Sequence, residues 1–250
     1  MENTIELIHG DAYKLIKDIE DKSIDMIYTD IPYDISYSGK GITNTENKES
    51  ASITLNEHKE TILNGIDYSI LDEFVRVMKK IKICIWCSKS QIFDLMKYFI
   101  EGKKCNYNII VWCKTNCAPF GASPWLSDVE YMLCFYEPGV KFNKGVEFKK
   151  KFYISSINRD DAKKYGHPTI KPIEMTINHI KNMCKVGDTV LDPFSGSGTT
   201  LAACKSANIN AIGFEIDDKF YQIAKNRING IDKNGQSDLF DTNFEQLELF

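Results

Sequence analysis

Short apolar runs alternate with amphipathic stretches along most of the chain. Ile5-Glu6-Leu7-Ile8-His9 reads as a strand; after Gly10 and Asp11, the positions Ala12, Leu15, Ile16 and Ile19 share one face of a helix. A second strand runs from Met26 through Ile27, Tyr28 and Thr29 to Asp30, leaving the polar turn at Ser23-Ile24-Asp25. Residues 34–67 are polar and show no period until about Glu57, which predicts a functional or disordered loop. Next come a helix with Ile70, Leu71, Phe74, Val75 and Met78 on one side, a strand at 81–87, and a helix over about 91–100. Residues 108–113 and 129–136 read as strands around a loop carrying Pro119, Gly121, Pro124 and Trp125. A helix follows Pro172 as far as about Cys184, with proline suiting its first turn. Thr189-Val190-Leu191-Asp192 is a strand that opens into a glycine-rich turn and an alanine-rich helix. A strand at 210–214 ending on Glu215 and a helix at 219–228 complete an α/β pattern.

The 250 residues suffice for one large domain or two small ones, and a net charge of −4 excludes a uniformly basic coat. The N-terminus lacks a basic-then-apolar leader and no apolar run approaches membrane-spanning length, so the expected location is cytoplasmic. In that reducing setting the eight cysteines are expected as free thiols. Cys84 and Cys87 form a C-x-x-C that Cys113 and Cys117 could complete as a zinc set. However, Ile83-Cys84-Ile85-Trp86-Cys87 reads as a buried strand whose neighbours face opposite ways, so no metal is expected.

Two places carry candidate chemistry. The first is Asp30-Ile31-Pro32-Tyr33, beyond the carboxyl end of a strand, where open α/β sheets bind ligands. Pro32 biases Ile31 toward an extended conformation, holding its carbonyl beside the Asp30 carboxylate, with the Tyr33 ring next to both. Two acceptors and a flat ring suit a planar amine such as a nucleobase amino group; the alternative is a strand-ending turn with a solvated Asp. The second is Asp192-Pro193-Phe194-Ser195-Gly196-Ser197-Gly198-Thr199-Thr200 with Glu215 nineteen residues after Gly196, a nucleotide-type binding unit. A dinucleotide fingerprint requires a third Gly or Ala where Leu201 stands, which counts against a pyrophosphate. A ligand with adenine and ribose but no pyrophosphate is S-adenosylmethionine.

Residues 192–200 resemble the S-adenosylmethionine motif of amino-methylating DNA methyltransferases. Asp30–Tyr33 resembles their catalytic Asp-Pro-Pro-Tyr, and His167-Pro168-Thr169-Ile170-Lys171-Pro172 resembles the element preceding their cofactor motif. The catalytic tetrapeptide comes first, the permuted order of the beta class, and the likeness spans about residues 4–229. It implies a permuted Rossmann-like fold: a mostly parallel, doubly wound sheet with one antiparallel strand. It also implies cofactor contacts from Asp192, Phe194, Gly196 and Gly198, ribose binding by Glu215, and adenine binding by Asp11. Thr169 and Lys171 are implied at the cofactor's methionine end. Ile31 stands where the family has proline, and the carbonyl that matters survives the change. The initial Asp resembles enzymes specific for adenine rather than for the cytosine amine, and the implied partner is double-stranded DNA.

Residues 1–230 form the expected catalytic domain, with 34–67 facing DNA and 137–166 as a small target-recognition insertion. Between 141 and 171, nine basic residues outnumber three acids, with Phe142, Phe148, Phe152, Tyr153 and Tyr165 interleaved. Such a segment is a nucleic-acid footprint or a solvated hairpin edge guarded by lysines. The tail, 231–250, carries two similar peptides, Gln236-Ser237-Asp238-Leu239-Phe240 and Gln246-Leu247-Glu248-Leu249-Phe250. They resemble the pentapeptide that docks bacterial proteins on the replication sliding clamp; alternatively, their Leu-Phe pairs cover the protein's own core.

Overall fold

The computed structural model describes residues 3–33, 65–117, 124–143, 145–157, 159–166 and 170–236. Eight strands form one sheet: β1 (Ile5–His9), β2 (Met26–Asp30), β3 (Lys82–Cys87), β4 (Asn106–Lys114), β5 (Val129–Tyr136), β6 (Phe152–Ser155), β7 (Thr189–Asp192) and β8 (Asn210–Glu215). Their order is β1-β8-β7-β2-β3-β5-β4-β6, and only β5 runs against its neighbours, as expected of a mostly parallel sheet.

The helices are α1 (Ala12–Leu15), α2 (Ile70–Val77), α3 (Ile92–Met96), α4 (Arg159–Tyr165), α5 (Ile173–Met183), α6 (Thr199–Ser206) and α7 (Asp218–Ile228). Ile16, Leu71, Phe74 and Phe99 pack on one face of the sheet against Ile27, Ile83 and Ile85. Met175, Ile180, Leu201 and Cys204 pack on the other against Met26, Tyr28 and Trp86. Alternate residues of β2 and β3 thus serve opposite cores, which is the strand period of two made visible. Cys84 and Cys87 fall on opposite faces for the same reason.

Four readings need correction. The helix expected through Ile19 is a single α turn continued by a 3-10 turn at Ile16–Asp18, and the helix after Gln91 becomes a π-helix at Lys97–Gly102. The segment 141–171 is not a hairpin: β6 pairs in parallel with β4, from Val111↔Phe152 to Lys114↔Ser155. Free thiols hold for six cysteines, but Cys84 and Cys134, directly paired across β3 and β5, are joined as a disulfide.

The neighbours that matter for function are β7 and β2, in register at Met26↔Val190 and Ile27↔Leu191. Chain order reverses there, so two strands from opposite ends of the sequence end side by side. This is the switch point where such sheets open a ligand crevice.

Candidate active site

At the end of β7 the chain must turn sharply to start α6. Gly198 makes that turn at φ 74°, and a Cβ on it would come within 2.9 Å of the Ala224 Cβ. A Cβ on Gly213 of β8 would lie 2.3 Å from Ser195 Oγ and 2.6 Å from Leu201 Cδ1. The small residue that lets helix and strand approach therefore comes from β8, which is why Leu201 is tolerated in the turn's helix. Arg227 of α7 fastens the turn from behind: its buried guanidinium donates to Thr199 Oγ1 at 2.6 Å and to Ser197 Oγ at 3.2 Å.

Two carboxylates meet at this turn. Glu215 accepts from Gly196 N at 2.7 Å and from Asp217 N at 2.8 Å, and burial pushes it up to about 7 despite these bonds. Asp192 accepts from Phe194 N at 3.2 Å and is pushed by burial up to about 6. Neither has a cationic partner among the described residues. Two buried acids without counter-charge suit a ligand bringing positive charge and hydroxyl donors, and would repel a pyrophosphate. Phe194 meets Tyr13 edge-on at 6.3 Å, giving the crevice an aromatic wall. Asp11 spends one oxygen capping α1, accepting from Tyr13 N at 2.9 Å.

Beside it, β2 delivers Asp30 to a four-charge cluster. Lys171 Nζ donates to Asp30 Oδ2 and lies 3.0 Å from Glu130 Oε2, while Lys114 Nζ sits 3.1 Å from Glu130 Oε1. Burial alone would lower the Lys171 ammonium; the Asp30 and Glu130 carboxylates outweigh it and hold Lys171 charged. Burial raises Asp30 above its ordinary value, with Lys171 opposing. Burial would also raise Glu130, but Lys171 and Lys114 prevail and lower it. With Oδ2 taken by Lys171, Asp30 Oδ1 is a buried acceptor without a hydrogen-bond partner among the described residues.

The turn after Asp30 is pinned on both sides. Ile31 donates through its main chain to the Trp86 carbonyl at 3.2 Å and buries its side chain in the core, and Pro32 O accepts from Gln91 Nε2 at 2.9 Å. Gln91, itself buried, is held by Ser88. The Ile31 carbonyl accepts no hydrogen bond among the described residues. The Tyr33 hydroxyl reaches Glu130 Oε2 at 3.4 Å, and Lys171 Nζ lies 5.8 Å from the Tyr33 ring centroid.

The profile of the DNA methylase family matches residues 24–226. This chain belongs to the DNA methylase family. The type II methyltransferase M2.LlaDCHI of Lactococcus lactis subsp. cremoris is 31% identical over 250 residues, covering 91% of this chain and 90% of that protein. M.HinfI of Haemophilus influenzae, also a type II methyltransferase, is 28% identical across 93% of this chain and 70% of its own length. Among solved structures, the M1.HpyAVI complex with S-adenosylmethionine superposes with a TM-score of 0.64 at 24% identity, over 90% of this chain and all of that one. The methylase is an enzyme that transfers a methyl group from S-adenosylmethionine to a DNA base amine.

The fold places Asp30, Ile31, Pro32, Tyr33, Asp192, Phe194, Gly196, Gly198 and Glu215 at the carboxyl ends of the adjacent strands β2, β7 and β8 and in the turns that follow them. Lys171, implied at the cofactor's methionine end, donates to Asp30. Thr169 and the loop 34–64 lie outside the described residues. Glu130 and Gln91 are residues that sequence reasoning missed. Glu130 left one signal, a lone acid near the start of the apolar run Val129–Tyr136; Gln91 left none.

Glu215 provides a pH test. In the ribose-binding role expected of Glu215, the hydroxyls would donate to the ionised carboxylate, so cofactor binding would drive off the proton that burial retains up to about pH 7. Cofactor affinity is expected to rise with pH between about 5 and 7 and then level off. Calorimetry near pH 6 should show buffer-dependent heat from proton release, and Glu215→Gln should reduce that dependence to the share that Asp192 contributes. A wild-type heat independent of the buffer would contradict this role.

Proposed function

We propose that the enzyme methylates the exocyclic amine of adenine in double-stranded DNA, flipping the base out of the stack and onto Tyr33. The observation that supports this most is the pair of unengaged acceptors, Asp30 Oδ1 and the Ile31 carbonyl, at the strand end next to the cofactor turn. An adenine amine is a poor nucleophile because its lone pair is delocalised into the ring. Accepting both its hydrogens draws the nitrogen toward tetrahedral geometry and stabilises the positive charge that grows as the N–C bond forms. Lys171 holds Asp30 by one oxygen and leaves the other for the substrate. S-adenosylmethionine would supply the methyl group, its S–C bond breaking as the N–C bond forms and leaving S-adenosylhomocysteine, and the methylated amine then loses one of its two protons to Asp30 or to water. Base flipping is required because the amine is otherwise inside the duplex. Mapping modified bases in DNA from cells expressing the protein tests the reading: methylated adenine supports it, and methylated cytosine alone sinks it. The location we infer is the cytoplasm; no helix among the described residues is long and apolar enough to cross a membrane.

Segment 137–166 is assigned to target recognition, with Lys149, Lys150 and Lys151, all exposed, on DNA phosphates. Changing all three to alanine is expected to weaken DNA binding and make its logarithmic salt slope shallower by roughly 2–3. An unchanged slope would return these lysines to the role of a solvated edge.

The tail is assigned to a sliding clamp through its two Leu-Phe peptides; residues 237–250 lie outside the described residues. Tethering would raise the enzyme's effective concentration on DNA without new DNA contacts. Truncation after Gly230 should leave melting temperature and methylation of short duplexes intact while clamp binding disappears. A marked drop in melting temperature would show that the tail belongs to the fold.

A further inference from the structure

A cavity of about 440 Å³ lies between α5 and the β3-β5-β4 part of the sheet, toward the end of β3 where Lys82 pairs with Tyr136. It is separate from Asp30 and Glu215, and of its lining only Lys149–Lys151 have been given a role above. Phe142, packed edge-on against Tyr136 at 4.8 Å, supplies an aromatic wall, and the exposed Lys149, Lys150 and Lys151 line it as well.

Two polar groups in its lining point to a ligand. His179 is buried at 2% exposure, and its Nε2 has no hydrogen-bond partner among the described residues; the same holds for the buried Asn182 Oδ1. The other face of the imidazole is occupied. Trp86 Nε1–H can only donate, and it donates to the Tyr28 hydroxyl at 3.0 Å; that hydroxyl lies 3.0 Å from His179 Nδ1. With the Tyr28 hydrogen on Nδ1 rather than on the hydroxyl's other neighbour, Thr176, the ring proton sits on Nε2. Burial pushes His179 down to about 3, so the ring is neutral at working pH. The cavity thus combines an imidazole nitrogen and an amide oxygen, both unpartnered among the described residues, with an aromatic wall and three lysines. Its size falls within the range of small-molecule sites.

We propose that this cavity is a second ligand site, one that takes a nucleotide: the base accepts from His179 Nε2–H and donates an amino hydrogen to Asn182 Oδ1, and the phosphate meets Lys149–Lys151. Adenine and cytosine both present a ring acceptor next to an exocyclic amine, the edge this pair reads. The nucleotide can be free in solution or part of a DNA strand, and the experiment separates the two.

The full-length protein, labelled with ¹⁵N-histidine and saturated with S-adenosylhomocysteine to keep nucleotides out of the cofactor crevice, is titrated with dCMP, with dAMP, and with a short oligonucleotide. The proposal expects a protonated Nε2 resonance for His179 that shifts saturably. It also expects apparent affinity to fall at least tenfold in His179→Phe and in Asn182→Leu, the latter at a half-buried position whose loss leaves the Tyr28 chain intact. Binding of S-adenosylhomocysteine and melting temperature of Asn182→Leu should match the wild type. Saturation by mononucleotides identifies a free nucleotide; saturation by the oligonucleotide alone identifies a strand. No shift with any of them, or equal affinity for inorganic phosphate, overturns the proposal.

Discussion

Replacing Asp30 with alanine is expected to lower methyl transfer by several orders of magnitude while S-adenosylmethionine binding stays near wild type. The carboxylate lies at the end of β2, outside both the turn that carries Gly196 and the end of β8 that carries Glu215, so its loss is expected to leave the cofactor contacts in place. What disappears is the acceptor that stabilises charge growing on the attacking nitrogen, and removing one such preorganised group typically costs about 10²–10³ in rate. Loss of correct amine orientation adds to that figure. Lys171 keeps Glu130 as a counter-ion, so the variant is expected to fold. Retention of more than about a tenth of the wild-type rate, equivalent to only ~1.4 kcal/mol of barrier, would contradict the assignment.

The second large effect concerns Lys171, whose side chain is 11% exposed between two carboxylates. Lys171→Met removes the charge that both Asp30 and Glu130 face, leaving only Lys114 to compensate Glu130. Breaking a buried ion pair on one side costs about 3–5 kcal/mol, so the melting temperature should fall by on the order of 10 °C. Asp30, already raised by burial, loses its main opposing charge and rises further. The acid limb of the pH–rate profile should therefore move to higher pH, because a protonated Asp30 cannot accept the amine hydrogens in the same way. Adding Asp30→Asn removes the charge left without a counter-ion and should restore part of the stability but not the activity. A variant with unchanged melting temperature and a rate within threefold of wild type would show that the ion pairs are incidental.

Much of this site is legible from the chain because its physical signals are local. The run from Met26 to Thr29 is buried on every residue, so the acid that ends it had to emerge at the sheet's carboxyl edge. The glycine-rich turn and Glu215 are likewise read from one strand–turn–helix–strand unit. What escaped depends on contacts distant in sequence. Gln91 matters because Pro32, fifty-nine residues away, folds against it, and Lys171 reaches Asp30 across 141 residues. β6 is four residues long and half exposed beside three lysines, so it shows no period; its pairing with β4 makes it a strand. The Cys84–Cys134 bond follows from the register of β3 against β5, which no local pattern in the sequence encodes.

The central claim is that Asp30 and the Ile31 carbonyl receive an adenine amine. The most direct measurement incubates the purified enzyme and its Asp30→Ala variant with duplex DNA and methyl-labelled S-adenosylmethionine, then digests the DNA to nucleosides for mass spectrometry. The label is predicted in N6-methyladenine for the wild type and near background for the variant. Label in N4-methylcytosine, or equal label from both proteins, would contradict it.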